Sequence, residues 1–84
     1  MRLDKFLKVA RIIKRRTVAN EACSKSRVTV NGRDAKPGKD IKIGDICTIA
    51  FGDKIIKFEI LEVPTGNVSK TNVDLLYRII EDEQ

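Results

Sequence analysis

The pair Asn31-Gly32 constrains the fold of this 84-residue chain more than any other feature. It follows the alternating run Val28 to Val30 and precedes a return run from Arg33 to Ala35. A two-residue turn between antiparallel strands needs positive φ at both positions, and Asn and Gly tolerate that conformation best. The sequence therefore predicts a β-hairpin over residues 28–35.

An amphipathic helix is predicted before the hairpin, over residues 3–14. Its apolar residues recur at three- and four-residue steps: Leu3, Phe6, Leu7, Ala10 and Ile13. Several cations fall on the opposite side of such a helix: Lys5, Lys8, Arg11 and Arg15. One face should therefore pack into the core while a row of positive charge faces outward, and Asp4 near the start suits the helix dipole.

A second, shorter helix is predicted from Thr17, its N-cap, to about Lys25. Its buried side would consist of small and apolar residues, namely Val18, Ala19, Ala22 and Cys23. A helix of this kind commonly ends with a glycine in the left-handed conformation. This chain has Ser26 at that place, which should cost about 1 kcal/mol.

The rest of the chain is predicted to form two strands, a loop and a last helix. The strands run from Ile46 to Phe51 and from Lys54 to Val63, with a turn at residues 52–53. Residues 64–70 form a polar loop. The last helix would be capped by Asn72 and would present an apolar edge of Leu75, Leu76, Ile79 and Ile80.

This order of elements predicts an α+β protein. The main domain would span residues 1–63, and residues 64–84 would supply the loop, the C-terminal helix and an acidic tail. The tail, Glu81 to Glu83, opposes the dipole at a helix C-terminus and should fray.

Positive charge is concentrated in the first part of the chain. Residues 1–36 carry eleven Lys and Arg against three acids, a balance of +8, whereas residues 37–84 carry six against nine, a balance of −3. Such a concentration marks the footprint of a polyanion more often than a merely solvated face. In the stretch from Arg15 to Gly32, a helix start lies beside guanidinium groups, which suits a phosphate. We therefore predict recognition of an RNA or DNA backbone.

Neither catalysis nor metal binding is predicted. The chain has no histidine, the commonest general base, and no Gly-rich phosphate loop. Cys23 and Cys47 lack metal-ligand spacing, so both are expected to be reduced, buried hydrophobes. No apolar run reaches the length of a membrane span and the charged N-terminus differs from a signal peptide. A cytoplasmic protein without a cofactor is expected.

A DNA-binding helix-turn-helix is the alternative from another class, because residues 3–25 could be read in that way. Against it, the second predicted helix carries few side chains that reach base edges in the major groove, chiefly Asn20 and Glu21. The aromatic residues lie in apolar patterns rather than among the cations. This placement disfavours base stacking and favours contact with phosphates.

Several motifs resemble the S4 (S-four) RNA-binding domain, a family named for a protein of the small ribosomal subunit. They lie within roughly residues 1–60, at specific spacing: Arg2-Leu3-Asp4-Lys5-Phe6-Leu7, the basic corner before Thr17, Arg27-Val28-Thr29-Val30-Asn31-Gly32, the Lys36-Pro37 loop and the Gly44-Asp45 turn. Among stand-alone members, the whole chain is most similar to bacterial ribosome-associated quality-control factors of the RqcP type. A small heat-shock-induced protein that handles large subunits still carrying peptidyl-tRNA is a cousin.

The resemblance implies an S4 (alpha-L) fold, with two N-terminal helices packed on a small, mostly antiparallel sheet and a short C-terminal helix. It implies a protein that binds a large ribosomal subunit obstructed by peptidyl-tRNA, contacts rRNA and stabilises that tRNA in the P site. A partner of the RqcH type would meanwhile add a C-terminal tail to the stalled chain. A monomer is expected, and a recycling factor of the heat-shock type is the alternative within the family.

The candidate RNA-binding residues come from the charge pattern and from this resemblance. By residue match, Arg2 and Arg16 are the best candidates for contacts to tRNA and rRNA. The other candidates surround them: Lys5, Lys8, Arg11, Arg15, Thr17, Lys25, Arg27, Asn31, Arg33 and Lys36. Ser26 departs from the glycine that is usual in the family.

Overall fold

The structure, a computed structural model, describes residues 1–64 and 75–83. Within those ranges the chain forms two helices and one five-stranded sheet, with these bounds: α1 Leu3–Val9, α2 Arg16–Ser24, β1 Val28–Val30, β2 Arg33–Asp34, β3 Ile46–Phe51, β4 Lys54–Ile60 and β5 Tyr77–Glu83. The strand order is β2-β1-β3-β4-β5, and all neighbouring strands are antiparallel. The predicted α+β class is confirmed. No helix in the described ranges is long and apolar enough to cross a membrane.

The hairpin turn has the predicted conformation. Asn31 has φ 54° and Gly32 has φ 82°, and Val30 pairs with Arg33 across the turn. The side chain of Asn31 also fastens the turn to the next strand, because its Oδ1 accepts the N–H of Ile46 at 3.0 Å. The hairpin is therefore tied to β3 by a side chain as well as by strand pairing.

The core lies between the helices and one face of the sheet. All the apolar residues predicted for the first helix are at most 5% exposed, and Phe6 stacks on Phe58 of β4 with ring centroids 6.4 Å apart. In β4, Phe58 and Ile60 are fully buried and Ile56 packs against the core, as the predicted alternation requires. The face of α1 opposite this core is exposed to solvent and carries the cations of the helix.

Both helices end in the same motif, with a non-glycine residue in the left-handed conformation. After α1, Arg11 has φ 60° and the N–H of Ile12 donates to the carbonyl of Leu7. After α2, Ser26 has φ 58° in the equivalent position. This is the Schellman arrangement, which glycine favours. The first helix therefore stops short of the predicted Lys14, and the conformation predicted for Ser26 is confirmed.

We expect Ser26→Gly to stabilise the protein by about 1 kcal/mol, because glycine adopts the left-handed conformation without a clash at the β-carbon. In a domain of this size the change corresponds to roughly 4–8 °C in Tm, which thermal unfolding followed by circular dichroism would measure. Ser24→Gly is the control, since Ser24 is the last residue of α2 and glycine inside a helix destabilises it. A lower Tm for Ser26→Gly would contradict the assigned backbone cost.

The predicted C-terminal helix is wrong, because Tyr77–Glu83 forms β5 alongside β4. Tyr77 and the two isoleucines that follow Arg78 are residue types that suit a strand, and β4 offers an unpaired edge to complete. The ring of Tyr77 packs edge-on against Phe58 at 5.6 Å. Pairing with β4 therefore determines the conformation of this segment, although the spacing of its apolar residues favours a helix.

The other predictions for the C-terminal segment also assumed a helix. Only Leu76 of the predicted apolar helix edge is buried, whereas Leu75, Ile79 and Ile80 are exposed. The backbone of residues 81–83 pairs with β4, so a fraying helical tail is also wrong. The predicted cap, Asn72, lies outside the described residues.

Both cysteines are buried free thiols, as predicted. Burial raises the pKa of Cys23 to about 11 and the pKa of Cys47 to about 12. Neither thiol is therefore ionised near neutral pH, and the reactivity that depends on the thiolate is suppressed. Within the described residues, no group of acidic and cysteine side chains is arranged to hold a metal ion.

Candidate nucleic-acid interface

A cleft, which we call the arginine cleft, opens where the start of α1 meets the start of α2. It is lined by Arg2, Asp4, Arg16, Thr17 and Asn20. Arg2 directly precedes α1 and Arg16 is the first residue of α2. Packing of the two helices therefore brings together the two cations that the resemblance ranks first.

Asp4 holds both arginines from inside the cleft. Its side chain is 3% exposed; its Oδ1 accepts a hydrogen bond from Nε of Arg2 at 3.2 Å, and its Oδ2 lies 3.5 Å from Nε of Arg16. The N–H of Lys5 donates to Oδ1 at 2.8 Å and the amide of Asn20 donates to Oδ2 at 3.4 Å. The carboxylate is thus fully partnered, and it fixes the relative position of two guanidinium groups.

Burial raises the pKa of Asp4, but several contacts outweigh it and hold that pKa below its ordinary value of 3.8. These are the hydrogen bond from Asn20, the charges of Arg16 and Arg2, and the N–H of Lys5. A lowered pKa means that the carboxylate's stabilising contribution is complete above the ordinary pKa and is lost as the pH falls through the lowered one. At neutral pH the cluster is therefore intact.

Both arginines keep capacity for a ligand. Their side chains are 53% and 46% exposed for Arg2 and Arg16, respectively. The ion pair between Asp4 and Arg16 is closest at Nε, and no described residue accepts a hydrogen bond from the terminal nitrogens of Arg16. A guanidinium held at Nε presents its terminal N–H groups in a fork that matches phosphate oxygens.

The start of α2 adds backbone donors to the same place. The helix begins one residue before Thr17, so the prediction of Thr17 as N-cap is wrong: Arg15 is the N-cap, and its side chain makes no capping hydrogen bond. The first turn of α2 contains no acidic residue. Uncapped N–H groups at a helix start attract anions, and Thr17 lies among them in the cleft.

A second basic surface, which we call the hairpin groove, lies between the hairpin turn and the turn at Lys36–Lys39. Its lining includes three exposed cations, Arg33, Lys36 and Lys39. Asn31 also lines it, but its Nδ2 donates to Asp45 at 3.1 Å, so its amide serves to position the turn.

The other predicted residues are exposed and lie outside both the arginine cleft and the hairpin groove: Lys5, Lys8, Arg11, Arg15, Lys25 and Arg27. Lys25 also forms an ion pair with Glu21 at 2.7 Å. The structure therefore gathers Arg2, Arg16 and Thr17 at one place and Arg33 with Lys36 at another. The remaining cations supply a surrounding positive field.

Sequence reasoning missed Asp4, Asn20 and Lys39 as parts of the interface. The signal for Asp4 was a carboxylate at the edge of the apolar stripe of α1, between Leu3 and Leu7. Burial at such an edge requires a cationic partner, and Arg2 and Arg16 supply it. Lys39 had a plainer signal, its place in a basic loop around Pro37.

The model of the S4 domain family matches residues 1–47 of the chain. The chain is 51% identical to the RQC P-site tRNA stabilizing factor of Listeria monocytogenes, over 100% of this chain and 90% of that protein. It is 42% identical to the protein of the same name from Bacillus subtilis, over 100% of this chain and 96% of that protein. Among solved structures, the trimeric Heat Shock Protein 15 of Vibrio cholerae matches with a TM-score of 0.84 at 32% identity, covering 94% of this chain and 80% of that chain.

Proposed function

The chain belongs to the S4 domain family, and on that premise we propose that it is an RNA-binding factor of bacterial ribosome-associated quality control. It binds the large ribosomal subunit obstructed by peptidyl-tRNA, contacts rRNA and stabilises the peptidyl-tRNA in the P site. An RqcH-type partner adds the C-terminal tail to the stalled chain during this time. The protein acts as a monomer in the cytoplasm, by binding rather than by catalysis. The names of relatives at 51% and 42% identity support this role.

The observation that carries the proposal is the pair of arginines held by Asp4 beside the uncapped start of α2. Two fixed guanidinium groups and free backbone N–H donors favour the phosphates of folded RNA, which proteins recognise largely by shape and backbone. Because Arg2 and Arg16 are held before binding, little side-chain entropy is lost when RNA arrives. The arrangement suits a factor that stabilises an RNA already in position.

A recycling factor of the heat-shock type is the second candidate, because the Vibrio cholerae protein has a similar fold. The coverage and the sequence identity of these relatives favour a role in ribosome-associated quality control over a role in recycling. The chain covers 90% and 96% of the two stabilizing factors at 51% and 42% identity, but 80% of the heat-shock chain at 32% identity.

Co-sedimentation tests the proposed function directly. The purified protein is mixed with large subunits that carry peptidyl-tRNA, with vacant large subunits and with duplex DNA as competitor. We expect the strongest binding to subunits that carry peptidyl-tRNA. Equal binding to vacant subunits would contradict stabilisation of the P-site tRNA, and displacement by duplex DNA would revive the helix-turn-helix alternative.

We expect Arg16→Ala to weaken co-sedimentation with these subunits while the fold stays intact. The side chain of Arg16 is 46% exposed, and the buried carboxylate of Asp4 keeps three other hydrogen-bonding partners, so the free energy of unfolding should fall by only about 1 kcal/mol. Loss of one charge-assisted contact should lower affinity by about tenfold. Unchanged co-sedimentation, or a large fall in Tm, would contradict this assignment.

Binding to the large subunit should depend strongly on salt, since the basic half of the chain carries a balance of +8. If about five phosphates are neutralised, the logarithm of affinity should fall against the logarithm of salt concentration with a slope near −4, and less steeply on irregular RNA. Filter binding over a range of KCl concentrations measures the slope. A slope near zero would remove the electrostatic basis of the proposal.

A further inference from the structure

Asn31 differs chemically from the other asparagines of the chain, because a glycine follows it. Asn20, Asn67 and Asn72 are followed by glutamate or valine. An asparagine loses its side-chain amide when the backbone nitrogen of the next residue attacks its Cγ. A glycine hinders this attack least, since it has no β-carbon. Asn31 is therefore the asparagine that is most open to deamidation.

The turn that contains Asn31 is accessible to water, which completes that reaction. Asn31 and Gly32 are both exposed. A β-carbon built on Gly32 would meet no atom within 4 Å, so no neighbouring group crowds this residue.

The amide of Asn31 is nevertheless held at both of its polar atoms. Its Nδ2 donates to Oδ1 of Asp45 at 3.1 Å, and its Oδ1 accepts the N–H of Ile46 at 3.0 Å. Oδ2 of Asp45 accepts the N–H of Lys42 at 2.9 Å, which fixes the carboxylate in turn. Because a carboxylate only accepts and a backbone N–H only donates, these contacts also fix the orientation of the amide.

The hydrogen bond to Asp45 opposes the reaction at Asn31. Deamidation expels Nδ2, the atom that donates to Asp45, so this bond is lost before the product is complete. The backbone N–H of Asn31 also donates to the carbonyl of Ile46 at 2.7 Å, so backbone and side chain hold the residue at the start of β3. The docked hairpin therefore protects the amide.

The products of deamidation do not fit the same place. Aspartate would put a carboxylate oxygen where Nδ2 now lies, at hydrogen-bond distance from Oδ1 of Asp45, and the two like charges would repel. Isoaspartate would add one carbon to the backbone of a two-residue turn, whose length sets the register of the hairpin. Either product should prevent the hairpin from docking again on β3.

We propose that Asn31 is a deamidation site, which Asp45 and Ile46 protect while the hairpin is docked and which inactivates the hairpin once it has reacted. The nitrogen of Gly32 bonds to Cγ and gives up its proton, the bond from Cγ to Nδ2 breaks, and Nδ2 leaves as ammonia. Water then opens the five-membered imide at either carbonyl, to aspartate or isoaspartate. Only the effect on subunit binding rests on the proposed function.

Peptide mass spectrometry of the protein, incubated at mildly alkaline pH, measures conversion at each asparagine. In urea, Asn31 should convert faster than the other three asparagines. In the folded wild type its conversion should be slower than in urea by about tenfold or more, and folded Asp45→Ala should regain about tenfold, the equivalent of one charge-assisted hydrogen bond. Asp45→Asn keeps one acceptor oxygen and should give a smaller increase, and it decides the matter if Asp45→Ala does not fold.

Gly52→Val is the control for general loss of stability. Gly52 has φ 54° and lies beyond the opposite end of β3, so valine there should lower Tm and leave the rate at Asn31 unchanged. An equal rate in the wild type and in the folded Asp45 variants, or an equal increase in Gly52→Val, would overturn protection by Asp45. Slow conversion of Asn31 in urea would overturn the site itself.

The deamidated protein, separated by ion exchange, should have a lower Tm and weaker binding to large subunits that carry peptidyl-tRNA. An unchanged Tm would overturn inactivation of the hairpin. A lowered Tm with unchanged subunit binding would instead contradict the proposed function of the hairpin, while the modification site would stand.

Discussion

Asp4→Asn should weaken binding to the obstructed large subunit by about tenfold or more, although it removes a negative charge from a chain of net charge +5. General attraction between a more positive protein and RNA would predict tighter binding. The local effect is opposite, because the carboxylate accepts from Nε of Arg2 and lies beside Nε of Arg16. An amide cannot balance both guanidinium groups, so the two cations lose their fixed separation. Equilibrium binding measured at constant salt concentration shows whether the affinity of Asp4→Asn falls or rises.

Asp53→Asn is the matched control for Asp4→Asn. It removes the same charge from an exposed turn between β3 and β4, away from the arginine cleft. We expect unchanged or slightly tighter binding for Asp53→Asn. Equal or tighter binding by Asp4→Asn would show that Asp4 has no positioning role and that net charge decides affinity. A loss of about 1–3 kcal/mol in the free energy of unfolding should accompany Asp4→Asn, because the buried NH2 group of the asparagine would face the donors that now surround the carboxylate and would find no acceptor.

The features predicted correctly from the sequence are those set by local physical chemistry. The turn at Asn31-Gly32 has both φ values positive because these residue types favour that conformation. Helical spacing identified the buried stripe of α1. The predicted end of α2 identified Ser26 as the residue that takes the left-handed conformation, although it is not a glycine. Each of these rules depends on a few neighbouring residues, which the sequence supplies completely.

The C-terminal segment was predicted wrongly because its conformation depends on a distant strand. Helical spacing of the apolar residues around Leu76 competes with the edge of β4, and strand pairing prevails from Tyr77 onward. The exposure of Ile79, at 47%, is consistent with an edge strand rather than with a helix that buries an apolar face. A prediction from the spacing of apolar residues alone does not take pairing with a distant strand into account.

The interface was predicted in composition but not in organisation. The arginines were identified from charge and family motifs, whereas the cleft depends on how α1 packs against α2. Asp4 and Asn20 lie 16 positions apart in the sequence and meet at 3.4 Å only after that packing. The assignment of Arg2 and Arg16 to RNA remains a prediction, and the buried carboxylate between them gives it a specific test.

Gly32→Val should lower affinity for the large subunit by about tenfold although it removes no cation. Gly32 has φ 82°, and a β-carbon there would meet nothing within 4 Å, so the cost of valine comes from the backbone conformation alone. A β-branched residue in this region costs on the order of 1–3 kcal/mol. Asn31, next to Gly32, is bonded to Asp45 and Ile46, so we expect a change of the turn that relieves the strain to break these bonds. Arg33, which directly follows the turn, then loses its place in the hairpin groove.

Gly52→Val is the matched control for Gly32→Val. Gly52, in the turn between β3 and β4, has φ 54° and also has nothing within 4 Å of an added β-carbon. Gly52→Val should therefore lose a similar amount of stability and keep its affinity, because its turn lines neither the arginine cleft nor the hairpin groove. Tm and subunit affinity are measured for both variants at a temperature where both are folded. Equal losses of affinity would attribute the effect to general destabilisation, and normal affinity in folded Gly32→Val would mean that the hairpin only completes the core.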